Sequence, residues 1–257
     1  MSKAVIQAGW ADAPHLDEET KSDLASSYPP HERDARMYGK PVLGSGAVFP
    51  VDLETIKCTP FTIAPHWPQI VGMDFGWRHP SAASRLAWDR DNDIVYVTAC
   101  YRASEQTPVL FAAAIKPWGT WIPVAWPHDG LQHDKGSGIQ LKEQYAAQGL
   151  NMLPDHATHA PADGQDEGQG GYGLEAGIMD MLDRMHTGRL KVFANLEQWF
   201  EEARLYHRDE KGLIVKMKDD ILSSTRIGIM SLRHAITKPA PRTNGPRFNH
   251  QARRGGY

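Results

Sequence analysis

The chain has 257 residues, of which 41% are hydrophobic and 23% charged, so it can bury the core of an ordinary globular protein. Its net charge of -3 disfavours a protein that holds nucleic acid by charge alone, but it does not argue against an enzyme that touches DNA locally. The two widely spaced cysteines predict neither a disulfide framework nor a zinc site, and the sequence shows no signal peptide and no apolar run near the ~18 residues of a membrane span, so we expect a soluble intracellular protein.

The first 66 residues are rich in proline and charge and predict little regular structure. The stretch from Asp17 to Leu24 is a candidate for one short helix, and the rest has the composition of turns, with Pro29-Pro30 and Gly44-Ser-Gly46. No segment here is long and periodic enough to form its own core. We therefore expect residues 1–66 to be a linker, or an arm that packs on something else.

Regular structure is predicted from about residue 67, in the order β-β-β-α-β-α-β. The third strand is rich in β-branched and aromatic residues, and short turns join the first three strands, which is typical of a meander. The predicted bounds are strands at 70–74, 82–88 and 94–101, a helix at 107–117, a strand at 122–127, a helix at 137–148 and a strand at 150–153.

The remaining chain begins with a segment rich in Gly, Asp, Gln and His at 155–173, which predicts a mobile loop of a length typical of function or disorder. The tail at 238–257 has five Lys or Arg and no acid, so we expect it to be disordered and able to contact a polyanion. The elements predicted between them are a helix at 174–187, a strand at 190–193, a helix at 196–206, a hairpin at 206–218 and a last helix at 219–237.

Acidic residues stand at the ends of three predicted elements. Asp74 ends the first strand, Asp129 ends the fourth, and Asp219-Asp220 opens the last helix. If the first and fourth strands are parallel neighbours, Asp74 and Asp129 meet at one edge of the sheet, and the helix adds a third carboxylate. Clustered carboxylates repel one another, and Mg²⁺ relieves that repulsion because it prefers oxygen ligands. Two such ions about 4 Å apart suit phosphodiester hydrolysis, which is the chemistry this pattern favours.

A helical projection of the last predicted helix places Asp219 and Asp220 on different sides, and only one of them lies in line with its apolar face. The predicted apolar face of that helix contains Leu222, Thr225, Ile229, Leu232 and Ile236. A step of three residues back from Leu222 reaches Asp219, so we predict that Asp219 faces inward and that Asp220 supports it or caps the helix. For any one acid alone, a turn former or helix cap is the commoner explanation. The order of the elements is what favours a shared site.

Several short motifs follow one another in order between residues 67 and 237. They are Val71-Gly-Met-Asp-Phe-Gly-Trp77 with His79-Pro80, Trp126-Pro-His-Asp-Gly130, Glu175-Ala-Gly-Ile178 with Met185-His-Thr-Gly188, Tyr206-His-Arg-Asp209, and Lys218-Asp-Asp-Ile-Leu-Ser-Ser-Thr-Arg226. This set resembles the C-terminal nuclease domain of the large terminase subunit of tailed bacteriophages. Trp10-Ala-Asp-Ala-Pro-His-Leu16 and His31-Glu-Arg-Asp34 also resemble the stretch that follows the packaging ATPase in such proteins.

The resemblance implies an α/β, RNase H-like fold of the ribonuclease H and retroviral-integrase superfamily. We then expect a central mixed sheet of five or more strands flanked by helices, with a β-hairpin insertion at about 206–218. The implied division is an arm at 1–66 that follows a missing ATPase domain, a nuclease domain at 67–237 and a basic tail at 238–257. No G-x-x-x-x-G-K-[ST] phosphate loop occurs, so ATP hydrolysis has no basis in this sequence, and we expect an excised domain or a truncated product.

The resemblance also implies a metal-dependent endonuclease that cuts concatemeric viral DNA at the start and end of packaging. Its acidic cluster falls on Asp74, Asp129, Asp219 and Asp220, which we expect to be catalytic and to hold two Mg²⁺ or Mn²⁺ ions. One ion between Asp74 and Asp129 would activate water, and one between Asp74 and Asp219 would stabilise the leaving 3′ oxygen. The implied partners are double-stranded DNA, the terminase small subunit and the portal protein, in the host cytoplasm.

Three cations are candidates for neutralising phosphate near the cut, namely Lys216, Lys218 and Arg226, although such charges are more often simply solvated. His128 and His133 flank Asp129, but carboxylate oxygen suits Mg²⁺ better than imidazole does, so we expect neither histidine to be a ligand. Backbone contacts should dominate DNA binding, with little sequence specificity.

Other protein classes share parts of this pattern. Asp74-Phe-Gly76 is also the metal motif of protein kinases, but the glycine loop, strand lysine and H-R-D loop are absent, which excludes that class. A sugar-kinase or actin-like ATPase is disfavoured because the core is not repeated. A RuvC-like junction resolvase and a catalytically silent DNA- or motor-docking module both stay open.

Overall fold

The computed structural model describes residues 8–27, 37–39, 46–133, 138–161, 171–209 and 211–239. The middle of the loop predicted at 155–173 and nearly all of the tail predicted at 238–257 lie outside the described residues. Within the described ranges, no helix is long and apolar enough to cross a membrane.

A mixed sheet forms the centre of the fold. Its strands are Lys57–Cys58 (β1), Gln69–Asp74 (β2), Ser81–Asp89 (β3), Ile94–Ala103 (β4), Pro123–Ala125 (β5), Asn151–Met152 (β6) and Leu190–Phe193 (β7). The seven strands lie in the order β1-β7-β4-β3-β2-β5-β6. β2, β3 and β4 form an antiparallel meander, whereas the four other strand pairs are parallel. The predicted order of strands and the mixed sheet of five or more strands are confirmed.

Helices cover both faces of this sheet. The named helices are Glu18–Ser27 (α1), Pro108–Ile115 (α2), Leu141–Ala147 (α3), Leu174–His186 (α4), Glu197–Leu205 (α5) and Asp220–Met230 (α6), and α2 to α6 contribute to the cores on the sheet. Successive side chains along a strand point to opposite faces, so residues of β2 pack alternately in two apolar cores, one on each face of the sheet. Ile70 packs in the core that includes α4, α5 and α6, whereas Val71 and Met73 pack with α2 and α3.

The expectation that the first and fourth predicted strands are parallel neighbours is confirmed. In the β2–β5 pair, Val71 is in register with Val124 and Gly72 with Ala125. Both strands therefore end at the same edge of the sheet, with Asp74 as the last residue of β2. Residues two apart in a strand point to the same face of the sheet, so Asp74 lies on the same face as Gly72, which α6 covers.

α6 approaches β2 closely enough that two glycines are required at the crossing. A Cβ on Gly72 would stand 2.0 Å from the Ser224 carbonyl oxygen and 2.4 Å from the Gly228 nitrogen. Gly228 in turn lies against the Leu86 side chain, which a Cβ would meet at 2.6 Å. The first residue of α6 is held near the end of β2 by this contact between two backbones.

Replacement of Gly72 by alanine should therefore force α6 away from the sheet. We expect Gly72→Ala to lower the free energy of unfolding by about 3 kcal/mol or more, because the obstacle is backbone and cannot rotate away. Urea denaturation measures this loss. Gly171→Ala is the matched control, since a Cβ there meets nothing within 4 Å, and equal stability of the two variants would contradict the packing argument.

Residues 46–58 of the predicted arm pack on this fold and extend its sheet. β1 pairs in parallel with β7 at the edge. Five apolar side chains before it are buried in the core with α4 and α5, namely Val48, Phe49, Val51, Leu53 and Ile56. Residues 46–58 are thus part of the folded core, and the rest of the division into arm, nuclease domain and tail stays a prediction.

The last helix is shorter than predicted. α6 ends at Met230, a 3₁₀ turn follows at Leu232–His234, and Ile236 forms an antiparallel bridge with Gln69. Backbone hydrogen bonds of 2.8 and 3.2 Å join Ile236 to Gln69 in both directions. The prediction of helix as far as Thr237 is wrong beyond Met230, because pairing with the start of β2 replaces the helical hydrogen bonds there.

The hairpin predicted at 206–218 is present as a short antiparallel contact. Arg208 bridges to Ile214, with the Asp209 N–H donating to the Leu213 carbonyl at 2.8 Å. On its other side His207 bridges to Ala47. The hairpin leads directly into the acidic start of α6.

Candidate active site

The loop after β2 fixes the position of Asp74. The Ser81 hydroxyl donates to the Gly76 carbonyl at 2.8 Å, and the Gly76 N–H lies 3.1 Å from the same hydroxyl oxygen. A Cβ on Gly76 would stand 2.3 Å from the His79 carbonyl oxygen, so only glycine allows this tight loop. Asp74 is partly buried as a result, with the chain folded back beside it.

Asp129 lies beyond its strand rather than at its end. β5 stops at Ala125, and Asp129 is exposed within a 3₁₀ turn at His128–Leu131. Gly130 anchors this turn, because a Cβ there would meet the Trp126 ring at 2.4 Å and the Phe75 ring at 2.8 Å. The loops that carry Asp74 and Asp129 are therefore packed directly on each other.

Asp219 and Asp220 stand at the N-terminus of α6, as predicted. Asp219 is the N-cap with φ -123° and ψ 13°, and Asp220 is the first helical residue. Asp220 is only 9% exposed and Asp219 is half-buried. Both side chains line the same cavity, and Asp219, not Asp220, is the N-cap; the expectation that Asp219 is the first inward-facing acid stays a prediction.

The four predicted acids line one open cavity of about 520 Å³. Sequence reasoning placed them together only by assuming a topology, and that topology is the one observed. The cavity also contains basic and aromatic side chains, namely His79, His128, Tyr172, Lys216 and Arg226. Of the described residues, no group of three or more His, Cys, Asp and Glu side chains is drawn together closely enough to enclose a metal ion. The acids share a cavity without forming a closed coordination shell.

Burial and, to a lesser extent, charge repulsion disfavour the ionised carboxylates in this cavity. The pKa of Asp74 is raised to about 7, chiefly by burial; the charge of Arg226 opposes this shift, and the charges of the three other carboxylates add to it. Burial also raises the pKa of Asp219 and of Asp220, and the Asp219 charge adds to the effect on Asp220. Negative charge at this place is costly unless a cation compensates it.

The three predicted phosphate-binding cations occupy different environments. Lys216 is exposed and lines the cavity, whereas Lys218 pairs with Glu201 at 3.0 Å and does not line it. Arg226 lies inside among the acids, where burial lowers its pKa and the Asp74 charge opposes that effect. Its buried Nε has no hydrogen-bond partner. Arg226 is therefore a countercharge to Asp74 in this arrangement.

Of the two histidines predicted to flank Asp129, only His128 lines the cavity. His128 lines the cavity and stacks on Tyr172, with ring centroids 5.7 Å apart. His133 bridges through its backbone to Gln140 and is not part of the lining. The prediction that neither is a metal ligand is not tested by these contacts.

Sequence reasoning missed Glu202, which is fully buried behind the N-terminus of α6. Its carboxylate accepts hydrogen bonds from the Ile221 N–H at 2.8 Å and the Leu222 N–H at 3.1 Å, and it forms an ion pair with Arg102. This side chain from α5 therefore caps the helix that carries Asp219 and Asp220. Only the tertiary fold identifies it, because Glu201 and Glu202 are adjacent acids of the same helix with no local signal to distinguish them.

Comparison with known proteins gives consistent relatives. The family described as the terminase RNaseH-like domain matches residues 71–232. The large terminase subunit of Salmonella phage P22 is 49% identical over 234 residues, which cover 91% of this chain and 45% of that protein. The chain thus spans about half the length of this relative.

Solved structures agree with this match. The nuclease domain of the P22 large terminase is 50% identical, with a TM-score of 0.68, and the match covers 76% of this chain and 96% of that one. The large terminase of a thermophilic bacteriophage shares the fold at 16% identity, with a TM-score of 0.55 over 87% of this chain and 54% of that one. The predicted RNase H-like fold is confirmed, and the chain belongs to the terminase RNase H-like domain family.

Proposed function

We propose that this chain is a metal-dependent endonuclease that cuts concatemeric double-stranded DNA during viral genome packaging. The observation that carries the proposal is the meeting of four carboxylates, from β2, the turn after β5 and the start of α6, in one open cavity. Membership of the terminase family and the resemblance to the P22 nuclease domain support the same activity.

The donor set suits a hard divalent cation. Asp74, Asp129, Asp219 and Asp220 offer only carboxylate oxygen, which Mg²⁺ and Mn²⁺ prefer. The raised pKa of Asp74 also fits, because a cation would remove the repulsion that disfavours its charged form. When bound there, two such ions would supply the charge that activates water and stabilises the leaving 3′ oxygen.

The other cavity residues have roles that follow from their positions. Lys216 and His79 are exposed at the rim, where a phosphodiester backbone would pass. Arg226 stays among the acids and limits their repulsion. Because Lys216 is the cation best placed to meet phosphate, we expect binding through the DNA backbone and little sequence specificity.

The same proposal assigns the partners of the whole motor. Double-stranded DNA is the substrate, and the terminase small subunit and the portal protein are partners in the host cytoplasm. The proposal assigns no ATP hydrolysis to this chain, since its sequence contains no phosphate loop.

Plasmid cleavage tests the activity. The protein with Mn²⁺ should relax and then linearise supercoiled plasmid, and EDTA should stop the reaction. An intact plasmid with Mn²⁺ would refute the proposal for this chain and favour a docking module. Preferential cutting of four-way junctions over linear duplex would favour the resolvase alternative.

The two lysines of the hairpin provide a matched pair for DNA binding. Lys216→Ala should weaken binding several-fold and reduce the salt dependence by about one counterion, because Lys216 lines the cavity. Lys218→Ala should have the smaller effect, because Lys218 is paired with Glu201. Fluorescence anisotropy over a salt series measures both variants, and an equal or larger loss for Lys218→Ala would reverse the assignment.

A further inference from the structure

A second cavity of about 290 Å³ lies beside the candidate active site. Asp129 and Phe75 belong to the lining of both cavities. A polymer bound in the first cavity can therefore extend one of its groups into the second.

Aromatic rings and amides dominate the second cavity. The Phe75 ring stacks on Tyr145 with centroids 5.3 Å apart and an interplanar angle of 26°. Trp77 stands at the edge and is 57% exposed, an unusual position for a side chain of that size. Gln106 and Gln132 add polar groups, and the Tyr101 hydroxyl holds the Gln106 amide through a 2.9 Å hydrogen bond.

This lining matches a nucleobase, which has two flat faces and a polar edge. Phosphate is disfavoured there, because the second cavity has an acid, Asp129, and no cationic side chain in its lining. The cations lie in the first cavity, at Lys216 and Arg226. The first cavity thus suits the phosphate of a nucleotide, and the second cavity suits its base.

Hydrogen bonds fix the backbone at Trp77 and at the residue before it. The Trp77 carbonyl accepts a hydrogen bond of 3.0 Å from the Glu105 N–H, and the preceding Gly76 is fixed by Ser81. Because the backbone is already fixed, stacking of this exposed ring would cost side-chain rotamer entropy but little backbone entropy. The geometry therefore favours stacking on a ligand over a role in the core.

We propose that the second cavity receives one unstacked nucleobase next to the bond to be cut, with Trp77 stacking on it. The inference rests on the proposed function, since it names the part of the DNA that enters beside the nuclease site. It requires a base to leave the helix, so cutting should favour mismatched, frayed or single-stranded positions.

Binding of oligonucleotides tests this assignment without cleavage, with Ca²⁺ in place of Mn²⁺. A labelled single strand and an abasic strand of equal length carry the same charge and differ only in their bases. The unaltered protein should prefer the strand with bases by about 5-fold or more, the lower end of the effect of one base stack. Trp77→Ala should lose that preference and keep its affinity for the abasic strand, and Trp77→Phe should retain most of it.

The controls separate this idea from folding and from catalysis. Leu110→Ala removes another large side chain that is 58% exposed but does not line the cavity, and it should change neither affinity. Because Trp77 is exposed, Trp77→Ala should keep the melting temperature of the unaltered protein. Equal preference for bases in Trp77→Ala and the unaltered protein, or no preference in either, would overturn the base site even if plasmid is cut. Loss of preference in Trp77→Ala, together with an uncut plasmid, would support the base site and refute the nuclease.

Discussion

Asp74→Asn should abolish plasmid cleavage, with a loss of at least about 10³-fold, because it removes a ligand shared by both proposed metal ions. Asparagine keeps the shape of the side chain and the close packing of β2 against α6. The loss should therefore appear in the rate and not in the fold. Single-turnover cleavage in Mn²⁺ measures it.

The same substitution should stabilise the metal-free protein at high pH. The pKa of Asp74 is about 7 in the folded chain, and an unfolded aspartate has a pKa of about 3.9. A raised folded pKa means that the folded state loses stability as pH rises from about 4 to 7, and the loss then stays constant. Asp74→Asn removes it, so in EDTA at pH 8 we expect a gain of roughly 2 kcal/mol, after allowance for partial exposure.

The pH dependence is the control for this effect. Near pH 4 the carboxyl is protonated in the folded state and about half protonated in the unfolded state, so the loss has barely begun and the two proteins should melt at similar temperatures. Added Mn²⁺ at pH 8 should stabilise the unaltered protein more than the variant. If Asp74→Asn is less stable than the unaltered protein at pH 8 in EDTA, the ionised Asp74 carboxylate does not destabilise the fold, and the side chain has a structural role instead.

Glu202→Ala should cause the largest loss of stability, on the order of 3–5 kcal/mol. It leaves Arg102 largely buried without its partner and removes the acceptor for the Ile221 and Leu222 N–H groups. Cleavage should fall as well, because the start of α6 loses the group that fixes it. Glu202→Gln keeps one acceptor oxygen and should lie between the alanine variant and the unaltered protein.

The adjacent acid provides the comparison. Glu201 is partly exposed and pairs only with Lys218 among the contacts described above, so Glu201→Ala should cost less than about 1 kcal/mol. Urea denaturation and single-turnover cleavage compare the three variants. If Glu201→Ala and Glu202→Ala are equally stable, the capping of α6 by Glu202 contributes nothing, and its position behind the acids has no consequence.

The sequence was informative where a local pattern determines the structure. The strand ending in Asp74 and its parallel pairing with the strand before Asp129 follow from alternation, turn residues and the order of elements. The acidic start of α6 was likewise visible, because Asp219-Asp220 precedes an apolar helical repeat. These local signals identify the elements that carry the four acids, and the assumed parallel pairing, which the structure shows, is what brings them to one edge of the sheet.

Other features depend on contacts between distant residues. The end of α6 at Met230 follows from pairing of Ile236 with Gln69, and no helix-stop residue marks it. The relative burial of Asp219 and Asp220 depends on the non-helical backbone angles of Asp219, the N-cap, which a helical projection of the sequence does not include. Glu202 acquires its role only when α5 packs against α6, which a single sequence does not reveal.

Anomalous diffraction from crystals soaked in Mn²⁺ tests the central claim most directly. We expect Mn²⁺ peaks within about 2.2 Å of carboxylate oxygens of Asp74 and of at least one of Asp129, Asp219 and Asp220, since Mn²⁺ binds oxygen near the distances of Mg²⁺. Asp74→Asn crystals should lose these peaks. Protein that cleaves plasmid with Mn²⁺ but binds the ion only away from these four residues would contradict the account.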